Sequence, residues 1–462
     1  SKAKQPDLQL FLKGLDLTPP ATGPYVFTLP AIVANHSRAA QRADVKLYLN
    51  EISNERLLQS LPTGRIAAGK TTTVAFKLRP DRFCGDYTFI AVVTPRKGSD
   101  LTPDDNISTR TDLIESERPE WPLRASFALR TDGPAARRTP LSFPVDFSSQ
   151  LPAGSGLKPN DVRVYLRQIN PQLDTDIEQL LPHAQFTPDA ADARRGQISL
   201  AFSELFAHSD IVFTVAAKPG LSMYPSGRPL LQLGDQPGMA TVSTDTYQLA
   251  FRDGVLMDLA PGRAFTTHAP FLRHFIVSSA PTGWSSEDQG VIKRFDVLEN
   301  GPAKSTLVVA KTLKNGSTYT KTYTFLPDRL ELAIDLDGPA GSAFNRGFYR
   351  LSADYLDNAG TKARMDNSVG KEGGIAGRNP NPQWFALRGN GWAHSCVALS
   401  TFANINYWDD NAPSLGQLGF NTTKLTGNRM VYFVHGQQDD FSFAESDARR
   451  AKETLTVTPL TD

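Results

Sequence analysis

Cysteine is nearly absent: only Cys84 and Cys396 occur in 462 residues. That excludes a disulfide scaffold. The two read as unrelated thiols in different units, because bridging needs Cα atoms within about 7 Å. There is no CxxC or HExxH spacing, so the common zinc signatures are missing. No apolar run is long enough for a transmembrane helix, which argues against membrane insertion. The opening "SKAKQPDLQL" has no apolar core of a signal peptide, so such a leader is expected to be absent or already removed. Excess charge is lacking too. A net charge of +1 leaves no electrostatic footprint for nucleic acid or an anionic membrane face. Helical periodicity is scarce. "TDIEQLL" offers a turn or two, and "ESDARRAKETL" near the C-terminus is acidic early and basic late, as the helix dipole prefers.

Strand signals fill the space that helices leave. "YVFTLPAIVAN", "ADVKLYLN", "KTTTVAFKL" and "YTFIAVVT" alternate apolar and polar residues and are rich in β-branched and aromatic side chains. Thirty-four glycines and thirty-three prolines punctuate them with turns. Short strands at regular spacing imply sandwiches or barrels, so the expected class is all-β. Three units are expected: an immunoglobulin-like sandwich over residues 1–116, a second small β-sandwich over 117–240, and a large antiparallel supersandwich over 241–462. "SERPEWPLRA" reads as a Pro-rich charged linker between the first two.

The first unit carries Pro6-Asp7-Leu8, Asn35, Val45, Leu47, Gly69 and the Asp105-Asn106 pair. On these marks it resembles the cell-adhesion-related immunoglobulin-like domain of bacterial surface and secreted proteins. The resemblance implies a spacer or adhesion module. In the third unit, Asp253-Gly254 marks a hairpin turn. Asn300-Gly301-Pro302, the alternation Tyr319/Tyr323/Phe325, Pro327-Asp328 and the stretch Leu332 to Leu336 follow. This order resembles the galactose-mutarotase-like supersandwich, which implies two large sheets face to face and a sugar on the concave one. Binding modules, glycoside hydrolases and polysaccharide lyases share that fold, so the resemblance implies an architecture more than a reaction.

A sugar site needs flat aromatic faces with polar groups at the rim. Trp284, Trp384, Trp392, Tyr407 and Trp408 supply the aromatics, and His268 and His274 lie in "TTHAPFLRHF" as further substrate-binding candidates. Trp384 reads more readily as a core residue of a strand. A lyase would need a base for the uronic-acid C5 proton; His394, Tyr349 and Arg350 suit it. A hydrolase would need two carboxylates across a cleft, and Glu287 and Glu372 suit that, with Glu445 a further carboxylate. The Gly- and Asn-rich segment from Asp357 to Pro382 reads as a long loop, either a lid or an insertion. Asp409, Asp410, Asp439 and Asp440 are oxygen ligands of the kind Ca²⁺ takes, but paired loop acids are commonly just solvated, so no metal or cofactor is assigned.

The sequence thus points to a secreted, periplasmic or cell-surface protein whose partner is a polysaccharide or oligosaccharide, either a glycoside hydrolase or polysaccharide lyase. The alternative is a non-catalytic polysaccharide-binding or adhesion protein, or the accessory β-sandwich portion of a larger enzyme.

Overall fold

In a computed structural model, the described residues are 5–18, 26–115, 121–130, 140–170, 175–201, 210–220, 223–261, 273–280, 283–337, 342–349, 353–365, 376–409, 416–422, 426–453 and 455–460. They are nearly all β, in antiparallel sheets, with one α-helix of nine residues. No helix among them is long and apolar enough to cross a membrane.

Near the N-terminus a three-stranded sheet (Leu8–Leu12, Phe27–Asn35, Thr71–Leu78) faces a four-stranded one (Leu57–Ile66, Gln41–Leu49, Cys84–Pro95, Ile107–Glu115). The alternation that marked these strands is the alternation of burial. Val45, Leu47 and Leu49 point inward with Tyr87, Phe89 and Ala91 of the paired strand, in one core. A second sandwich sets the sheet of Thr175–Leu180, Val162–Asn170, Asp210–Ala217 and Leu123–Arg130 against Gln185–Pro188, Arg195–Ala201 and Pro140–Asp146. "TDIEQLL", expected as helix, is a strand whose residues 175–180 pair with 165–170. The ladder offers it partners along its whole length, and a weak local helix preference loses to that.

The largest body is a ten-stranded and a nine-stranded sheet around one shared core. Three successive strands of the latter, Ser305–Thr312, Thr318–Leu326 and Arg329–Asp337, pair in register as the Asn-Gly and Pro-Asp punctuation requires. Gly316 takes the left-handed φ of 82° that such a turn needs. Strand membership crosses the sequence boundaries at both ends. Leu231–Leu233 already belongs to the ten-stranded sheet, and Thr458–Leu460 returns to pair with residues 126–128 of the middle sandwich.

The linker expectation for "SERPEWPLRA" needs correction where it is described. Trp121 is buried with Cys84, Tyr165, Leu180, Ala216 and Met223 in a small core between the first two sandwiches. Arg163, itself buried, donates from Nε to the Cys84 carbonyl at 2.6 Å and from Nη2 to that of Tyr224 at 3.1 Å. Both cysteines are free thiols and buried.

Candidate functional site

Two of the proposed acid-base groups, His394 and Glu287, are placed inside the protein, where no substrate reaches them. His394 lies on Ala393–Ala398, between Leu387 and Val434 of the neighbouring strands, and packs edge-on to Trp392 with ring centroids 4.8 Å apart. Burial, with a smaller push from His435, drives its pKa down to about 3. It is a neutral core imidazole, which corrects its reading as a lyase base. Trp392 is fully buried, which corrects its reading as a stacking platform.

Glu287 is fully buried as well, so it cannot face a cleft as half of a hydrolytic pair. One carboxylate oxygen accepts from the Tyr319 hydroxyl, and the other is 2.6 Å from Lys321 Nζ. Lys311, on the neighbouring strand, donates to the Asp253 carbonyl at 2.8 Å. Burial lowers the pKa of both lysines against the pull of Glu287, and raises that of Tyr319 and Tyr323. Period-two spacing explains the arrangement. Tyr319, Lys321 and Tyr323 share one face, and the cross-strand partner of Tyr319 is Lys311.

Other candidates sit elsewhere. Tyr349, His274, Trp284, Tyr407 and Trp408 are on strands of the ten-stranded sheet, whereas His394 is on the nine-stranded one. His268, Arg350, Glu372 and Asp410 lie outside the described residues. Among the described residues no group of three or more His, Cys, Asp or Glu could hold a metal ion.

Trp384 is brought to a surface groove. The outer face of the nine-stranded sheet, where Ala353–Asp357, Lys362–Met365 and Trp384–Arg388 run side by side, meets the start of the helix Ser442–Arg450 around a cavity of about 810 Å³. Residues 384, 386 and 388 alternate onto this face while Phe385 and Leu387 go to the core. Trp384 is half-buried, with one side packed among the residues under the helix. Asp354 is directly opposite Arg364 on one neighbouring strand and Arg388 on the other. Its two oxygens accept from Arg364 at 2.6 Å and Arg388 at 3.0 Å. Arg388 also donates to the Asp439 carbonyl and lies 5.3 Å over the Phe441 ring. Burial pushes the Asp354 pKa up, but the two arginines outweigh it and hold the carboxyl below its usual range. Asp440 is likewise held low, by hydrogen bonds from Ser442 at the helix start.

The sequence marks Trp384 as a sugar-stacking aromatic, Asp439 and Asp440 as oxygen ligands and Glu445 as a carboxylate, and all four line this groove. Asp354, Arg364, Arg388 and Phe441 carry no such mark. Arg364 fell in the segment read as one long loop, yet Lys362–Met365 and Ala376–Asn379 are strands, with residues 366–375 outside the described set. Two-residue alternation in "KARM" is too short to stand out from a polar background.

Beneath the helix, Asp447 is buried. Its Oδ2 accepts from Ser395 Oγ at 2.6 Å and lies 2.7 Å from His435 Nε2. The residue types are those of a nucleophilic triad, but the connectivity is not. Both partners bond the same carboxylate oxygen, and Ser395 is closed to substrate. The cluster fastens the helix to the sheet.

No family model matches the chain, and no curated protein does. Among solved structures, the chain is similar to the CARDB domain of a Pyrococcus furiosus protein, described as in complex with di-metal ions. That similarity has 18% identity, spans 25% of this chain and 93% of the other, and has a TM-score of 0.20.

Proposed function

We propose that this chain is a non-catalytic polysaccharide-binding protein of the periplasm or cell surface. It takes a segment of glycan into the groove beside Trp384, and the N-terminal sandwich acts as an adhesion-type spacer. A mutarotase-like reading of the two large sheets is compatible with this and is part of the proposal. The observation that carries it is the pairing of a half-buried indole with the Arg388-capped Phe441 ring along one open groove. Such a groove offers ring faces for stacking, and at its floor Asp354 is already paired with Arg364 and Arg388, which suits uncharged sugar hydroxyls. Turnover is disfavoured by the same residues. A general acid needs a raised pKa, and Asp354 and Asp440 are both held low.

Calorimetric titration against a panel of neutral and uronic-acid polysaccharides tests this, with reducing-end and unsaturated-product readouts on the same samples. Neutral glycans are expected to bind without product. Trp384→Ala is expected to weaken binding at least tenfold, about 1.4 kcal/mol. Because Trp384 also packs under the helix, Arg388→Gln provides a second variant that keeps the indole in place. Undiminished affinity in both folded variants would sink the groove, and released product would sink the non-catalytic reading.

A further inference from the structure

The three sandwiches enclose a second cleft of about 610 Å³, remote in sequence from the groove. One wall is the outer face of the N-terminal four-stranded sheet, with Thr88 and Thr111 cross-strand partners whose hydroxyls are 3.0 Å apart. The opposite wall is the start of the ten-stranded sheet, presenting Gln232, Thr241, Ser243 and Gln248. At the junction His183 Nε2 lies 2.9 Å from Asp86 Oδ2.

The cleft is held open by hydrogen bonds around its rim. Ser226 Oγ accepts from the Asp86 amide at 3.0 Å and donates to the Pro182 carbonyl at 2.5 Å. Gly227 N donates to the Asp86 carbonyl at 2.7 Å, and Leu230 N to that of Gly301 at 3.1 Å. A Cβ on Gly227 would meet Pro302 Cβ at 2.7 Å, so the connector already sits as close to the large sheets as backbone allows. The connector is therefore tied to all three bodies, and the space between them is built in. Sites at domain junctions of this kind are common.

The chemistry of the walls selects an occupant. Hydroxyls and amides that both donate and accept face each other, and the side chains of Gln232 and Thr241 make no hydrogen bond to another described residue. Asp86 is engaged by His183, while Asp245 and Arg228 bring one charge of each sign, and no Phe, Tyr or Trp among the described residues lines the space. We infer that this cleft is a second ligand site, for a short neutral oligosaccharide held by its hydroxyls rather than by stacking. The inference does not depend on the groove.

The test uses the full chain, deuterated and labelled at threonine methyls. Thr88, Thr109, Thr111, Thr241 and Thr244 line the cleft, and among the described residues no threonine lines the groove. Cello- and malto-oligosaccharides are titrated, with a polar peptide of similar size as a comparison. Saturable shifts of the cleft methyls are expected with a saccharide and not with the peptide. Gln248→Leu and Thr241→Val are expected to weaken them at least tenfold while the rest of the methyl spectrum stays put. Unmoved cleft methyls, or shifts equal with the peptide or in both variants, overturn the inference. Saccharide binding that moves no cleft methyl and is lost in Trp384→Ala would leave the groove standing and remove this site.

Discussion

At the scale of single residues, the large core carries polar groups that alternation alone would have made apolar. Lys321 is an ammonium with no solvent exposure, compensated by Glu287. Removing one partner of such a pair leaves an uncompensated buried charge, so Lys321→Met is expected to cost about 3–5 kcal/mol in urea denaturation. The double variant Glu287→Leu/Lys321→Met removes both charges and is expected to regain most of that loss. His394 gives a pH signature. Its pKa is about 3 when folded against the ordinary histidine value of 6.5, so between the two the unfolded chain binds a proton there that the folded one does not. The stability this contributes is complete above pH 6.5 and is lost as pH falls from there toward 3. Across that window wild type is expected to lose about 1.4 kcal/mol per pH unit more than His394→Asn. Denaturant midpoints of the two proteins measured at several pH values check it; parallel curves refute it. Neither role was legible in sequence. Histidine and glutamate look the same in a string whether their strand turns them to solvent or to the core.

At the scale of elements, the helix Ser442–Arg450 shapes the groove, because its first turn supplies Ser442 and Glu445 to the lining. Its charge order was readable, with Glu445 early and Arg449 and Arg450 in the last turn. The anchor was not, because Asp447 finds Ser395 and His435 on two different strands. Asp447→Ala leaves these groups without their shared acceptor, at a cost of about 1–3 kcal/mol. The expected result is faster amide exchange across 442–450 together with weaker glycan binding. Unchanged exchange would mean that apolar packing of Phe443 and Ala444 holds the helix by itself.

At the scale of the whole molecule, the N-terminal and middle sandwiches are joined through Arg163 and Trp121. Arg163→Ala strips the Cys84 carbonyl of a buried donor, about 1–3 kcal/mol, while the Tyr224 carbonyl keeps the Tyr87 hydroxyl at 3.2 Å. Scanning calorimetry is expected to show the N-terminal sandwich melting as a separate, earlier transition. Gly85→Ala attacks the same junction sterically, since φ is 150° and a Cβ would meet Ser226 Oγ at 2.1 Å. A single unshifted transition in both variants would show that the units are coupled elsewhere.

The all-β class, the successive hairpins and the terminal helix were determined by the sequence itself, because two-residue alternation and turn chemistry act between neighbours in the chain. Strand register, and with it the face each side chain takes, was decided only by the tertiary structure. That is why Trp384 lies in an open groove while Trp392, eight positions on, is sealed in the core. It is also why Asp354 meets two arginines from different strands, and why residues 458–460 end on a sheet begun more than three hundred residues earlier. Such pairings join residues far apart in sequence, and the free energy that selects them comes from burial and hydrogen bonding across the whole assembly, which no local window of sequence contains.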